Sequence, residues 1–153
     1  MSARRQLCLG VSPAYLIAPA ALAADNTPAA VSILGFEGVR VHVLVGVGGI
    51  TFDATNKIEF KLLAGGATVG AHVAVAAADV EFVTGDAWAT GGIIRSLVAA
   101  HAAATAYVYD YVNTDPAITH LSCLADFSGT HGAATPLAVL VERFKGRTEN
   151  PVA

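Results

Sequence analysis

Charged residues are scarce in this sequence. Asp, Glu, Lys and Arg make up 14% of its 153 residues, and 54% are hydrophobic, whereas a typical globular domain carries about 25% charged residues. Because soluble monomers rarely expose large apolar patches, we expect other subunits to cover part of this surface. The net charge is −3 and the basic residues are mostly scattered, which argues against nucleic acid as a partner. The densest basic group, Arg143, Lys145 and Arg147, is predicted to belong to a solvated tail.

Cysteine is also scarce, with only Cys8 in the N-terminal segment and Cys123 in a predicted strand. The two form no Cys-x-x-Cys pair and no spacing typical of metal ligands. Two buried free thiols are the simplest interpretation. A disulfide between the N-terminal segment and the rest of the chain is the alternative.

Motifs of common enzymes are missing too. There is no Gly-x-Ser-x-Gly, no phosphate-binding loop and no His-Glu-x-x-His, and Gly46-Val47-Gly48-Gly49 is predicted to be a turn. Asp110 and Asp126 are carboxylates that could share acid and base roles if the fold brings them together. The histidines are too widely spaced to predict a metal site without the fold, namely His42, His72, His101, His120 and His131. We therefore predict no enzyme activity, no catalytic residue, no cofactor and no metal.

Short β-type segments are what the sequence does contain. They are rich in Val, Ile, Leu, Tyr and Phe, and turn-forming or Ala-rich stretches separate them. The predicted strands are 39–45, 57–62, 80–83, 107–112, 121–127 and 137–141. This pattern predicts a mainly β protein, a single compact β-sandwich or β-barrel-like domain over residues 30–145. An extended N-terminal arm (1–29) and a C-terminal tail (146–153) flank it.

Three segments allow more detailed predictions. The alternation in 57–62 puts Ile58, Phe60 and Leu62 in the core, and 39–45 is predicted to be an interior strand that ends in a glycine loop. Residues 93–106 fit either one face of a helix or a strand over 93–97 followed by a turn, and we favour the strand. Three tyrosines fall on one face of their strand, either as a half-buried sheet face or as a platform for carbohydrate or peptide, namely Tyr107, Tyr109 and Tyr111.

Residues 1–25 imitate a secretory signal, with two arginines, an apolar stretch and an Ala-Leu-Ala site before Ala24. Pro13 and Pro19 interrupt the apolar stretch, which is also too short and broken to span a bilayer, since spanning takes about 20 apolar residues. We favour an apolar extended arm that lies on its own domain or on a neighbouring subunit. The arm residues predicted to contact a partner are Leu7, Leu9, Tyr15, Leu16 and Ile17.

Several segments resemble small head-gene products of tailed bacteriophages. They are 46–62 (GVGGITFDATNKIEFKL), 77–80 (AADV), 107–112 (YVYDYV) and 127–132 (FSGTHG), and the resemblance covers roughly residues 30–143. Similar proteins in phages and gene-transfer particles are capsid decoration, or cement, proteins. The resemblance implies a structural virion protein on the outer capsid surface, assembled in the host cytoplasm. Its implied partners are the major capsid protein and neighbouring copies of itself, and the resemblance brings no catalytic residue.

Other functions stay open at this point. One is a secreted β-sandwich module, with residues 1–23 removed and the three tyrosines as a carbohydrate platform. A second is another phage structural part, such as a head spike or tail subunit. A third is a metal-dependent enzyme that uses the histidines.

Overall fold

The computed structural model describes residues 11–84, 89–99 and 103–144. Two short 3-10 helices, Val69–Ala71 and Ala77–Asp79, lie between strands. The strands in chain order are β1 (Val11–Leu22), β2 (Val31–Ser32), β3 (Gly38–Val45), β4 (Lys57–Gly65), β5 (Val73–Ala74), β6 (Val80–Phe82), β7 (Ile93–Leu97), β8 (Thr105–Val112), β9 (His120–Ser128) and β10 (Thr135–Phe144). The predicted mainly β class is confirmed.

The strands form two antiparallel sheets that pack as one compact domain. The first sheet has the order β1-β10-β3-β8-β6, and the second has the order β2-β9-β4-β5, with β7 also paired to β4. Strands that are distant in the chain are therefore neighbours in space. β10, for example, lies between β1 and β3.

The predicted strands agree closely with the observed ones. Five of the six lie within longer strands, and the sixth, 80–83, matches β6 but for its last residue. Residues 93–97 form a strand, β7, rather than part of a helix. β3 is an interior strand, since it pairs with β10 on one side and β8 on the other.

Alternating residues build the core between the sheets. In β3 the valines at 39, 41, 43 and 45 are buried, and in β4 the buried residues are Ile58, Phe60, Leu62 and Ala64. Because successive side chains point to opposite faces of a strand, the pairing register of the strands determines all of these contacts together. Full burial of each large apolar side chain stabilises the fold by about 1.5–3 kcal/mol.

The tyrosines of β8 face this core, which corrects the interpretation of them as a platform and, for Tyr109 and Tyr111, the interpretation as a half-buried sheet face. Tyr109 and Tyr111 are at most 1% exposed, and Tyr107 is partly buried. Tyr109 packs edge-on against the ring of Phe82 at 5.4 Å. Burial raises the pKa of Tyr111 to about 12, because the ionised phenolate is poorly solvated there. The tyrosines therefore offer no exposed platform for carbohydrate.

The described part of the N-terminal arm is an edge strand of the first sheet. β1 pairs with β10 along its length, with register shifts between Tyr15 and Ile17 and between Ile17 and Ala20. Leu16 and Ile17 are buried in the core of their own domain. The residues 11–22 that we predicted to lie in a flanking arm therefore contribute both a strand and core side chains to the domain.

The chain after β1 covers an edge of the second sheet with side chains. The Asn26 amide donates to the carbonyl of Cys123 at 3.0 Å and accepts from the Ala125 N–H at 2.7 Å. The Asp25 carboxylate accepts from the Phe127 N–H at 2.7 Å. These bonds satisfy backbone groups of β9 that an edge strand would otherwise leave unpaired.

Arg143 ties the two sheets together at the β1 side of the domain. Its guanidinium donates to the Ser12 carbonyl at 3.1 Å, the Ser12 hydroxyl at 2.8 Å and the Ser32 carbonyl at 2.7 Å. It also lies over the ring of Phe36 at 4.9 Å. The prediction of a solvated basic tail is therefore wrong for Arg143. Lys145 and Arg147 lie outside the described residues.

Candidate functional site

Side chains on the outer face of the first sheet form rows across the strands. Arg40, His42 and Leu44 of β3 point away from the core, because the alternate valines are buried. Residues opposite each other on antiparallel strands share a face. Each of these three residues, together with the residues opposite it on the neighbouring strands, therefore forms a row across the sheet, and Gly38 belongs to a fourth row. The groove row is Ala138, Leu44 and Ala106; the middle row is Tyr15, Leu140, His42 and Val108; the charged row is Glu142, Arg40, Asp110 and Glu81; the end row is Val11, Phe144, Gly38 and Val112.

An apolar groove of about 500 Å³ lies at one end of this face. Its lining includes Pro19, Ala20, Leu44, Ala106, Pro136 and Ala138. The depression exists because Leu44 is flanked by an alanine on each neighbouring strand. Leu44 is 36% exposed, so its apolar surface is accessible to a partner.

The charged row separates the apolar rows of the face. Arg40 and Asp110 form a two-bond ion pair, Nε to Oδ1 at 2.7 Å and Nη2 to Oδ2 at 2.8 Å. This pair lowers the pKa of the Asp110 carboxyl and raises that of the Arg40 guanidinium, because the hydrogen bonds between the two groups, and then their opposite charges, stabilise the ionised forms. Nε2 of His42 lies 2.9 Å from Oε2 of Glu142, and Glu81 is exposed beside Asp110.

Carboxylates outnumber cations in this row. Three carboxylates face one guanidinium, Arg40, so the row carries a formal charge of −2. A second cavity of about 310 Å³ borders the row, with Arg40, Asp110 and Phe144 in its wall. This part of the face is suited to a basic group of a partner.

The arm residues predicted to bind a partner have different positions. Tyr15 is 50% exposed at the β1 end of the middle row. Leu16 and Ile17 are buried in the core, so neither is available to a partner while the domain is folded. Leu7 and Leu9 lie outside the described residues.

The two carboxylates considered as an acid and base pair lie in different sheets. Asp110 is in β8 of the first sheet, and Asp126 is in β9 of the second. Each has its own cation, since Asp126 is ion-paired with Lys61 and Asp110 with Arg40. The structure therefore does not bring them together as a pair.

The histidines also have separate partners. Nδ1 of His72 lies 2.8 Å from the Ser122 hydroxyl, and Nε2 of His131 lies 2.9 Å from the Ser128 carbonyl. His101 is outside the described residues. Within residues 11–84, 89–99 and 103–144, no three His, Cys, Asp or Glu side chains are close enough to hold a metal ion.

Cys123 is a free thiol that is fully buried in β9, and Cys8 lies outside the described residues. Burial raises the pKa of the Cys123 thiol to about 12. Thiolate is the reactive form of cysteine, so Cys123 is expected to be inert in the folded protein.

Comparisons with known proteins add no relatives. No protein-family model matches the chain, and comparisons with curated proteins and with solved structures give no significant match. In the part of the chain that the structure describes, no helix has both the length and the apolar character needed to span a membrane.

The sequence contained one signal for the groove. Leu44 is an apolar residue on the face of β3 that also carries Arg40 and His42. Period-two alternation would favour a polar residue there if the face were simply solvated. The flanking Ala106 and Ala138 could not be found this way, because their pairing with Leu44 joins three strands that are far apart in the chain.

Proposed function

We propose that this chain is a structural virion protein, a capsid decoration protein that binds the outer surface of the assembled major-capsid-protein shell. The observation that carries the proposal is the outer face of the first sheet, which is largely apolar and exposes Val11, Tyr15, Leu44 and Val112 on a well-packed body. An exposed face of this kind favours a subunit of a larger assembly. The sequence resemblance to decoration proteins supplies the identity of the partner.

The shell contact is expected at the β1 side of this face. Val11 and Tyr15 are 37% and 50% exposed there, and their burial against a partner contributes about 25 cal/mol per Å² of apolar surface. Their strand is held in the sheet by β10. Because the strand is already ordered, binding costs little further conformational entropy.

Such a protein stabilises a shell by binding the assembled state only. Ligand binding to one state lowers its free energy by RT ln(1 + [L]/Kd), which is about 2.7 kcal/mol when the ligand is at 100 times its Kd. A weak contact therefore suffices when each shell binds many copies. The effect on the whole shell is the sum over the occupied sites.

Two observations favour this proposal over a secreted carbohydrate-binding module. The tyrosines that would form the platform are turned into the core, with Tyr109 and Tyr111 buried. Removal of residues 1–23 would also delete β1, together with the core side chains Leu16 and Ile17. The remaining sheet would then expose apolar surface along β10.

The test is co-sedimentation of the full-length protein with phage-like capsids that lack it, followed by electron microscopy. We expect regular and saturable decoration by the wild-type chain, with loss of binding in Tyr15→Glu. The matched control is Val73→Glu, because Val73 is 66% exposed but lies on β5 of the second sheet. Deletion of residues 1–25 is a poorer test, since it also removes core side chains.

Absence of wild-type decoration would contradict the proposal. Equal loss of binding in Tyr15→Glu and Val73→Glu would contradict the assignment of the contact to the β1 side. Intact mass of the bound fraction should include residues 11–22, since β1 is part of the folded domain.

A further inference from the structure

We propose that the outer face of the first sheet binds residues 4–9 of a second copy of this chain. In this contact Arg5 lies on the charged row, Leu7 on the middle row and Leu9 in the groove. The inference goes beyond the proposed function, because it concerns contacts between copies and needs no capsid.

The spacing of the rows matches the spacing of these residues. The rows meet β3 at Arg40, His42 and Leu44, which are two residues apart and therefore about 7 Å apart along the strand. In an extended segment, residues at i, i+2 and i+4 lie on one side with the same separation. In the sequence Arg-Arg-Gln-Leu-Cys-Leu, the set with this spacing that carries one cation and two leucines is Arg5, Leu7 and Leu9.

The chemical character of the rows matches that of Arg5, Leu7 and Leu9 in the same order. Arg5 meets the row in which three carboxylates face one guanidinium. Leu7 lies over His42 and contacts Leu140 and Val108 on either side of it in the middle row, and Leu9 enters the apolar groove beside Leu44. Opposite charges and apolar surfaces are thus paired along the whole segment.

The order of Arg5, Leu7 and Leu9 along the segment favours binding to the face of a second copy over binding to the face of the same chain. Val11 lies in the end row, next to the charged row. A segment that folded back from Val11 onto its own face would meet the charged row with Leu9 and would reach the groove with Arg5. That arrangement puts a guanidinium among apolar side chains, where it loses hydration without gaining a partner.

The contact also leaves the β1 side of the face free. A segment that lies over β3 covers Arg40, His42 and Leu44, whereas Tyr15 is two strands away on β1. A copy can therefore hold its neighbour and still present Tyr15 to another surface.

The test is sedimentation velocity of the purified full-length protein, without capsids, over a range of concentrations. We expect the wild-type chain to self-associate reversibly. Arg5→Glu should weaken the association on the order of tenfold or more, because it places like charges opposite each other. Arg4→Glu is the matched control, since it makes the same charge change on the other side of an extended segment, and it should have a much smaller effect.

Exchanging the charges of Arg5 and Glu142 tests whether the charged row is the surface that binds Arg5. Combining Arg5→Glu with Glu142→Arg should restore much of the association that Arg5→Glu removes, while Glu142→Arg alone should weaken it. Thermal unfolding monitored by circular dichroism checks that each variant is folded.

A wild-type protein that stays monomeric at all concentrations would overturn the inference, and so would association that Arg5→Glu leaves intact. Equal effects of Arg4→Glu and Arg5→Glu would overturn the proposal that the side of the segment with Arg5, Leu7 and Leu9 faces the sheet. If Glu142→Arg does not restore the association that Arg5→Glu removes, the charged row is not the surface that binds Arg5. None of these results bears on capsid binding, so the two proposals can fail separately.

Discussion

Replacement of Arg143 by Met should destabilise the domain strongly. Methionine keeps much of the length and apolar stem of arginine but donates no hydrogen bond. The variant therefore loses three bonds, to the Ser12 carbonyl, the Ser12 hydroxyl and the Ser32 carbonyl. A hydrogen bond to a charged group contributes about 1.5–3 kcal/mol. Because this site is only partly buried and water replaces some of the bonds, we expect a total loss of about 3 kcal/mol.

The matched control is the same substitution at Arg40. Arg40 also makes two short bonds to a carboxylate, but its side chain is 41% exposed. Exposed ion pairs contribute about 0–1 kcal/mol, so Arg40→Met should lower the free energy of unfolding by about 1 kcal/mol or less. The two variants thus separate the effect of the position from the effect of losing a guanidinium.

Urea unfolding at neutral pH measures both variants. The midpoint should fall much further for Arg143→Met than for Arg40→Met, with the slope of the transition unchanged. In thermal unfolding, about 3 kcal/mol corresponds to a decrease in Tm of about 6–12 °C. Hydrogen exchange should also accelerate first in the amides of β1, because Arg143 holds Ser12. Equal destabilisation by the two substitutions would refute this account of Arg143.

Two further predictions concern a turn and an ion pair. Gly129→Ala should destabilise the fold by about 1–3 kcal/mol, because Gly129 has φ +81° and a Cβ there would lie 2.7 Å from the Thr55 carbonyl. The control is Gly132→Ala, which has open space around it and no positive φ and should change the stability measured in urea by less than about 0.5 kcal/mol. Similar losses of stability in the two variants would contradict this prediction. Arg40 lowers the pKa of Asp110 in the folded state, so the stability that this carboxylate adds, at most about 1 kcal/mol, is present at neutral pH and is lost as the pH falls through the lowered pKa. Asp110→Asn should therefore be less stable than the wild type at pH 7, and the difference should shrink as the pH falls through the lowered pKa; a difference that does not shrink on acidification would contradict the assignment.

Local pattern was sufficient to predict most strands of the two sheets. The alternation of Lys57, Glu59 and Lys61 with Ile58, Phe60 and Leu62 is a property of six consecutive residues, and the structure buries the apolar set as predicted. The charged set is less exposed than expected, because Lys57 pairs with Glu59 at 2.6 Å and Lys61 pairs with Asp126. The second of these pairs depends on a strand that lies far along the chain.

The same kind of pattern could not decide which face of β8 is buried. Alternation places Tyr109 and Tyr111 on one face and Asp110 on the other, but a strand with apolar residues on both faces does not show which one meets the core. Pairing with β3 decides it, because Asp110 lies opposite Arg40, and their ion pair remains on the outer face. The tyrosines must then point inwards, where their large apolar area is buried.

β1 was not predicted as a strand for a different reason. Its partner, β10, is more than 100 residues away, since Tyr15 lies opposite Leu140. Pro13 and Pro19 also suggested an interrupted segment, because proline removes an N–H from a sheet. An edge strand tolerates this, since the missing donor can face away from the sheet.

The position of these prolines bears on how copies of the chain would associate. A long apolar edge strand is normally a template for pairing with another sheet. In β1, Pro13 and Pro19 lack the N–H that such pairing uses, and the shifts of register before Ile17 and Ala20 interrupt its edge further. Addition of a strand to this edge is therefore disfavoured. The outer face beside it has no such protection, since Leu44 and Tyr15 are exposed there, so we expect the proposed contact between copies to form through the face of the first sheet rather than through its edge.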